Sequence, residues 1–241
     1  VVKPFAAIRP VPDLAQELVA PPYDVINADE ARTLAEGKPW SFLHISKPEI
    51  DLDPKTDPYS PEVYEKGRSN FKRMIEQKVL RQDKKKCFYV YQLKMNNHTQ
   101  TGIAGAASIM SYHQNVVRRH EYTRPSKETD RVRQIDAVNA QTGPVFTTHK
   151  NSGLIQDVID RVVKGAADYH VIGDGNVGHT LWLVDDDADI IQITRAFEEL
   201  GVIYIADGHH RSAAAARVAA QRNANISNPT GMEAHDFFLI V

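Results

Sequence analysis

The sequence predicts a mixed α/β (α+β) unit over residues 1–241, and three observations predict it. Segments with apolar residues at helical spacing alternate with short apolar runs of strand character. Two pairs of those runs are joined by polar or glycine-rich links, the pattern of β-hairpins. Val202–Ala206 then leads through a glycine turn straight into an alanine-rich stretch. Helices mixed with strands, some of them hairpins, define the mixed class. No repeat, low-complexity tract or clean linker appears, and a subdivision near residue 110 stays open.

Ten of the thirteen prolines precede residue 62, which argues against long helices there. Short elements fit: a strand near Phe5–Ile8, a turn at Val19–Val25, a helix near Asp29–Glu36 and a strand at Phe42–Ile45. From Pro61 to Leu80, Val63, Phe71, Met74, Ile75, Val79 and Leu80 recur at helical spacing, with Ser60 as cap. Cys87–Leu93 and Gly102–Ile109 form a hairpin through Met95-Asn96-Asn97-His98. Ser126–Ala140 reads as a helix capped by Ser126, Pro144–Thr148 as a strand and Leu154–Val163 as a helix. Tyr169–Ile172 and Thr180–Val184 make a second hairpin. Ile190–Leu200 is helical and stops at Gly201, and Ala213–Ala220 is nearly pure helix former. The final run, Phe237–Val241, reads as a strand with nothing after it. The expectation is a shortened chain that stops in mid-domain.

Lys plus Arg total 29 and Asp plus Glu total 31, a net charge of -2. That balance argues against a nucleic-acid partner held by general electrostatic attraction. No run of eighteen apolar residues signals a membrane span. The single cysteine, Cys87, excludes an internal disulfide and makes the cytoplasm the default compartment.

The sharpest signal is Asp207-Gly208-His209-His210-Arg211, between the Val202–Ala206 strand and a helix over Ser212–Arg222. The first N–H groups of a helix lack internal partners and favour a phosphate. Gly208 lets the backbone approach closely, Arg211 offers a bidentate fork, and His209 and His210 add donors or a proton shuttle. The competing reading is an N-cap Asp207 followed by surface histidines. A second cluster runs from Arg118 to Arg131. There Lys127 and Arg131 can face phosphates, while Glu121 and Asp130 can hold a divalent metal through oxygen. A salt-bridged helix start is its plain alternative. Ala20-Pro21-Pro22-Tyr23-Asp24-Val25-Ile26 is a stiff turn, and a structural role is expected of it. Gly173-Asp174-Gly175-Asn176-Val177-Gly178 matches a dinucleotide pattern, but strand rather than helix follows, so it reads as a hairpin loop.

In that order, Ala20–Ile26, His120-Glu121-Tyr122-Thr123 with Lys127 and Asp130-Arg131, and Ile205–Arg211 make the chain resemble the bacterial and archaeal family catalogued as domain of unknown function 1015. The likeness spans about Phe5 to Val241, and members of that family are usually longer. The Asp207–Arg211 turn is also similar to the phosphate-binding turn of the ParB/sulfiredoxin superfamily. That superfamily includes free serine kinases, sulfiredoxin and the CTP-binding ParB proteins. This likeness implies a ParB/sulfiredoxin-like core with added hairpins and helices. The kinases rely on a glutamate near the N-terminus, for which Glu17 and Glu30 both stand as candidates.

The function expected on these grounds is a nucleotide-dependent phosphotransferase, a small-molecule hydroxyl kinase using ATP or ADP with Mg²⁺. Gly208, His209, His210, Arg211, Lys127 and Arg131 would hold phosphates. Asp207, His209 and Glu121 would serve catalysis, and Glu121 and Asp130, helped by Asp207, would hold Mg²⁺. The alternative is a nucleotide-responsive binding protein without turnover, as in the ParB branch. A histidine-based hydrolase ranks third, because surrounding metal ligands are missing. The expected partner is a small-molecule substrate, with neither membrane nor nucleic acid.

Overall fold

The computed structural model describes residues 1–241. In chain order it forms β1 (Val2–Lys3), β2 (Ile8–Pro10), α1 (Ala15–Leu18), α2 (Ala28–Ala35), α3 (Leu43–Ser46) and α4 (Pro61–Glu76). There follow β3 (Leu80–Gln82), β4 (Phe88–Met95), β5 (His98–Ser108), α5 (Ile109–His113), β6 (Val117–Arg118) and α6 (Pro125–Val138). The remainder is β7 (Phe146–Thr148), α7 (Gly153–Val162), β8 (Tyr169–Gly173), β9 (Val177–Val184), α8 (Asp187–Leu200), β10 (Ile203–Asp207), α9 (His209–Asn223) and β11 (Phe237–Ile240). The mixed α+β class is therefore the observed one. No helix is long and apolar enough to cross a membrane.

The main sheet is antiparallel in the order β1-β5-β4-β9-β8, and β11 also pairs with β5. A three-stranded sheet places β10 between β6, parallel to it, and β7, antiparallel. The two sheets are stitched at Val145, whose N–H donates to Leu239 and whose carbonyl accepts from Val241, at 2.8 and 3.0 Å. Twenty-four buried residues from these strands and from α5, α7, α8 and α9 form the main core. A smaller core of Leu18, Ile45, Met74, Val79, Leu80 and Val138 ties α1, α3 and α4 to the end of α6. A third contact, Val132 against Ala214 and Val218, docks α6 on α9.

Most sequence-derived elements form where their patterns place them. Asn96, with φ +54°, turns the β4–β5 hairpin, and Gly201, with φ +66°, ends α8. The glycine-rich segment after β8 is a hairpin loop leading into β9. Four expectations need correction here, and the start of α9 is a fifth. Phe42–Ile45 is not a strand, because α3 starts at Leu43. Asn70 and Gln134 side chains take the carbonyls of His44 and Ile45 at 2.7 and 2.8 Å, so this backbone needs no ladder. Phe5–Ile8 is not one strand either. Phe5 forms a lone bridge to Cys87, the Tyr89 hydroxyl takes the Ala7 N–H, and β2 begins only at Ile8. The helix from Pro61 ends at Glu76. There the N–H of Val79 reaches back to Met74, and Leu80 starts β3. Ser126 does not cap α6, because Pro125 opens the helix and Arg124 stands at the cap.

Gly105 shows how closely the main sheet is packed. A Cβ there would lie 2.7 Å from Val2 Cγ1 and 3.0 Å from Phe88 Cε1, both buried side chains. Gly105→Ala is expected to cost about 1–3 kcal/mol, as overpacking does in well-filled cores. The measurement is thermal unfolding, and an unchanged midpoint would contradict this packing.

Candidate functional site

Ile203 and Ile205 are fully buried, which fixes β10 in the core and sets the position of whatever follows it. A register shift between Ile205 and Asp207 then kinks the ladder, and the strand ends at Asp207, paired with Phe146. Gly208 follows with φ +96°, a conformation that L side chains rarely adopt. A Cβ there would also meet Arg211 Cζ at 3.1 Å and Val145 Cα at 3.2 Å. The helix α9 starts at His209 instead of Ser212, because the N–H of Ser212 already bonds back to Gly208. Ahead of it, the N–H groups of His209, His210 and Arg211 have no backbone acceptor.

The side chains of this turn are largely spoken for. Arg211 folds over the turn, donating to Asp207 Oδ2 at 2.6 Å and to the carbonyl of Pro144. His209 is 5% exposed. Its Nε2 accepts the N–H of His120 at 3.5 Å, and its Nδ1 lies 3.7 Å from Glu121 Oε2. The two rings of His209 and His120 meet edge to face at 4.6 Å. Burial, reinforced by His120, lowers the His209 pKa against the pull of Glu121 and Asp207. His210 accepts the N–H of Arg124 on its Nε2 at 3.0 Å. Adjacent histidines thus hold two points of the same loop.

His210 also lines a cavity of about 390 Å³. Its other walls are Lys127, Asp130, Arg131 and Gln134 from α6, Tyr23 and Asp24 from the N-terminal turn, Ser46–Glu49 at and beyond the end of α3, Tyr59, and Tyr64 of α4. Arg131 donates from Nε and a terminal nitrogen to Asp130 Oδ2 at 2.8 and 2.6 Å, and its guanidinium lies 3.9 Å from the centre of the Tyr23 ring. The Tyr64 hydroxyl donates to Asp130 Oδ1 at 2.8 Å. Burial raises the pKa of Tyr23, and burial together with Asp130 raises that of Tyr64. Lys47 pairs with Glu49 at 3.0 Å. Two of the cavity's ion pairs are therefore closed, and Lys127 and Asp24 remain without a charged partner.

Of the residues singled out from sequence, His210, Lys127, Asp130 and Arg131 meet at the cavity. Asp207, Gly208, His209, Arg211 and Glu121 gather instead around the turn. Glu121 and Asp130 do not form a metal pair: one faces His209, and the other is filled by Arg131 and Tyr64. No three His, Cys, Asp or Glu side chains come together in a way that could hold a metal ion, so the protein's own donors do not fit a self-sufficient Mg²⁺ site. Glu30 closes the capping box of α2 and Glu17 is exposed on α1, so neither lines the cavity. Sequence reasoning missed Tyr23 and Asp24 as cavity residues, although the stiff Ala20–Ile26 turn was visible. Tyr64 and Lys47 carry no signal, being ordinary residues of a helix and a turn.

A family model described as "Protein of unknown function (DUF1015)" matches residues 2–241. No curated protein and no solved structure matches the chain.

The buried His209 gives a direct test. Its pKa lies below the ordinary histidine value in the folded state, so the unfolded chain binds more protons below about pH 6.5. Its contribution to stability is therefore lost as the pH falls below that value. The imidazole should titrate below about 6.5 by NMR, and His209→Gln should flatten part of the acid loss of stability. A midpoint at or above that value would contradict a buried neutral ring.

Proposed function

We propose that this chain, which belongs to the DUF1015 family of proteins of unknown function, is a cytoplasmic nucleotide-dependent phosphotransferase acting on the hydroxyl of a small metabolite. One observation carries the reading. Three stretches far apart in sequence, Ala20–Ile26, Lys127–Arg131 and the start of α9, converge on one polar cavity with His210 at their junction. At about 390 Å³ the cavity falls in the range of roughly 300–1,000 Å³ typical of small-molecule sites.

The roles follow from which groups are already used. The unpaired N–H groups at the start of α9, with Lys127 and one face of His210, would receive phosphate oxygens. Lys127 is suited because no carboxylate neutralises it, whereas the charges of Arg131 and Lys47 are matched by Asp130 and Glu49. Arg211 would brace the turn and reach phosphate only by releasing Asp207. Asp24 is the cavity carboxylate with no cation against it and would take the acceptor's proton. The acceptor oxygen would bond to the terminal phosphorus of ATP or ADP as the bridging P–O bond breaks, its electrons leaving with the shortened nucleotide. Mg²⁺ would arrive on the phosphates and add charge neutralisation. His209, facing Glu121 beneath the loop, would position the turn.

Titration calorimetry with ATP, ADP and CTP, with and without Mg²⁺, tests the site. Lys127→Ala should weaken nucleotide binding about tenfold, equivalent to about 1.4 kcal/mol. Phosphorus NMR with a pool of hydroxyl metabolites should show a new phosphoester that Asp24→Asn abolishes without loss of nucleotide affinity. Binding without any product would favour a nucleotide-responsive binding protein. If none of the three nucleotides binds at millimolar concentration, the proposal fails.

A further inference from the structure

We propose that His44 is an imidazolium at neutral pH and that its two N–H groups fasten one wall of the cavity, so that this wall loosens as the pH rises. Nδ1 of His44 lies 2.8 Å from Asp51 Oδ1, and Nε2 lies 3.1 Å from the carbonyl of Lys38. A carbonyl cannot donate, and neither can an ionised carboxylate. A neutral imidazole carries one N–H, so one ring nitrogen would then point a lone pair at an acceptor. Only the doubly protonated ring satisfies both sides.

The surroundings favour that state. Asn70 donates to Asp51 Oδ2 and to the His44 carbonyl, both at 2.7 Å, so α4 holds the carboxylate and the histidine backbone together. The charged groups facing the pair are Asp51 itself, from the turn after α3, and Arg73 and Lys66 from α4. The α2–α3 link contributes the Lys38 carbonyl. The hydrogen bond to Asp51 raises the His44 pKa against burial and Arg73. Burial pushes Asp51 up, but the hydrogen bonds from His44 and Asn70 outweigh it and hold the carboxyl below its ordinary value.

Between His44 and Asp51 lie Ser46, Lys47, Pro48 and Glu49, all of which line the cavity. The ion pair thus closes a short loop whose middle is the wall. With its folded pKa raised, His44 contributes fully below the unfolded histidine value, about 6.5, and its contribution is lost as the pH rises through the folded value. Asp51 behaves oppositely and loses its contribution only in acid. The fastening is therefore strongest from mildly acidic to neutral pH.

Imidazole nitrogen NMR of the whole chain should show both His44 nitrogens protonated at neutral pH and a midpoint shifted above about 6.5. Amide hydrogen exchange, corrected for intrinsic rates, should show protection across Leu43–Leu52 that is lost from mildly acidic to mildly alkaline buffer. His44→Gln, which does not titrate, should remove that pH dependence. If the variant does not fold, the wild-type titration decides alone. A ring nitrogen found unprotonated at neutral pH, or exchange indifferent to pH, overturns the proposal. Neither readout needs a ligand, so a failure of nucleotide binding leaves this inference standing, and the reverse holds too.

Discussion

The candidate cavity depends on how closely α6 can approach α9. All the alanines of α9 but Ala220 are buried, among them Ala215, Ala216 and Ala219 in the main core and Ala214, with Val218, against Val132 of α6. Small side chains on both faces let the helix sit between the sheet and α6 without pushing either away. The α6–α9 contact delivers Lys127, Asp130, Arg131 and Gln134 beside His210. Arg217 reinforces it from α9, reaching Glu128 at 3.0 Å, and Glu128 in turn accepts the Thr123 hydroxyl at 2.7 Å. A larger residue at Ala214 would act on the cavity without touching it.

The other side of the cavity comes from the proline-rich first quarter of the chain, which has little regular structure of its own. It is held by side chains reaching its backbone. Gln134 and Asn70 bond α3, Arg32 reaches the carbonyl of Glu49, and Tyr89 takes the Ala7 N–H. Irregular backbone is tolerable next to a core when such groups satisfy its donors and acceptors. The cost is that this wall depends on particular polar residues, where a sheet would depend on a repeating ladder.

The elements legible in the sequence were those whose signal is local. The β4–β5 hairpin is announced by Met95–His98, and the glycine-rich loop before β9 is followed by a strand, as its flanking pattern predicts. The body of α9 is plain from its alanines. Its start at His209 is not, because histidines before an alanine run look like loop residues. The one-turn helix α3 is too short for any period to register. The site was half legible. Motif residues on α6 and α9 do face one cavity, but adjacent helical residues normally diverge. Nothing in the sequence therefore said that Arg131 and Asp130 would neutralise each other or that Tyr23 would lie under the guanidinium. Pairing partners decide which charges stay available, and they are set by tertiary structure.

His210 belongs to two structures at once. One ring nitrogen accepts the amide N–H of Arg124, the cap residue of α6, while the ring itself borders the cavity. Any occupant that draws this imidazole inward must break its bond to the Arg124 amide, at the end of a segment whose Tyr122 side chain stands wholly in solvent. The segment would then hang on its two other anchors, the His120 amide on His209 and the Thr123 hydroxyl on Glu128.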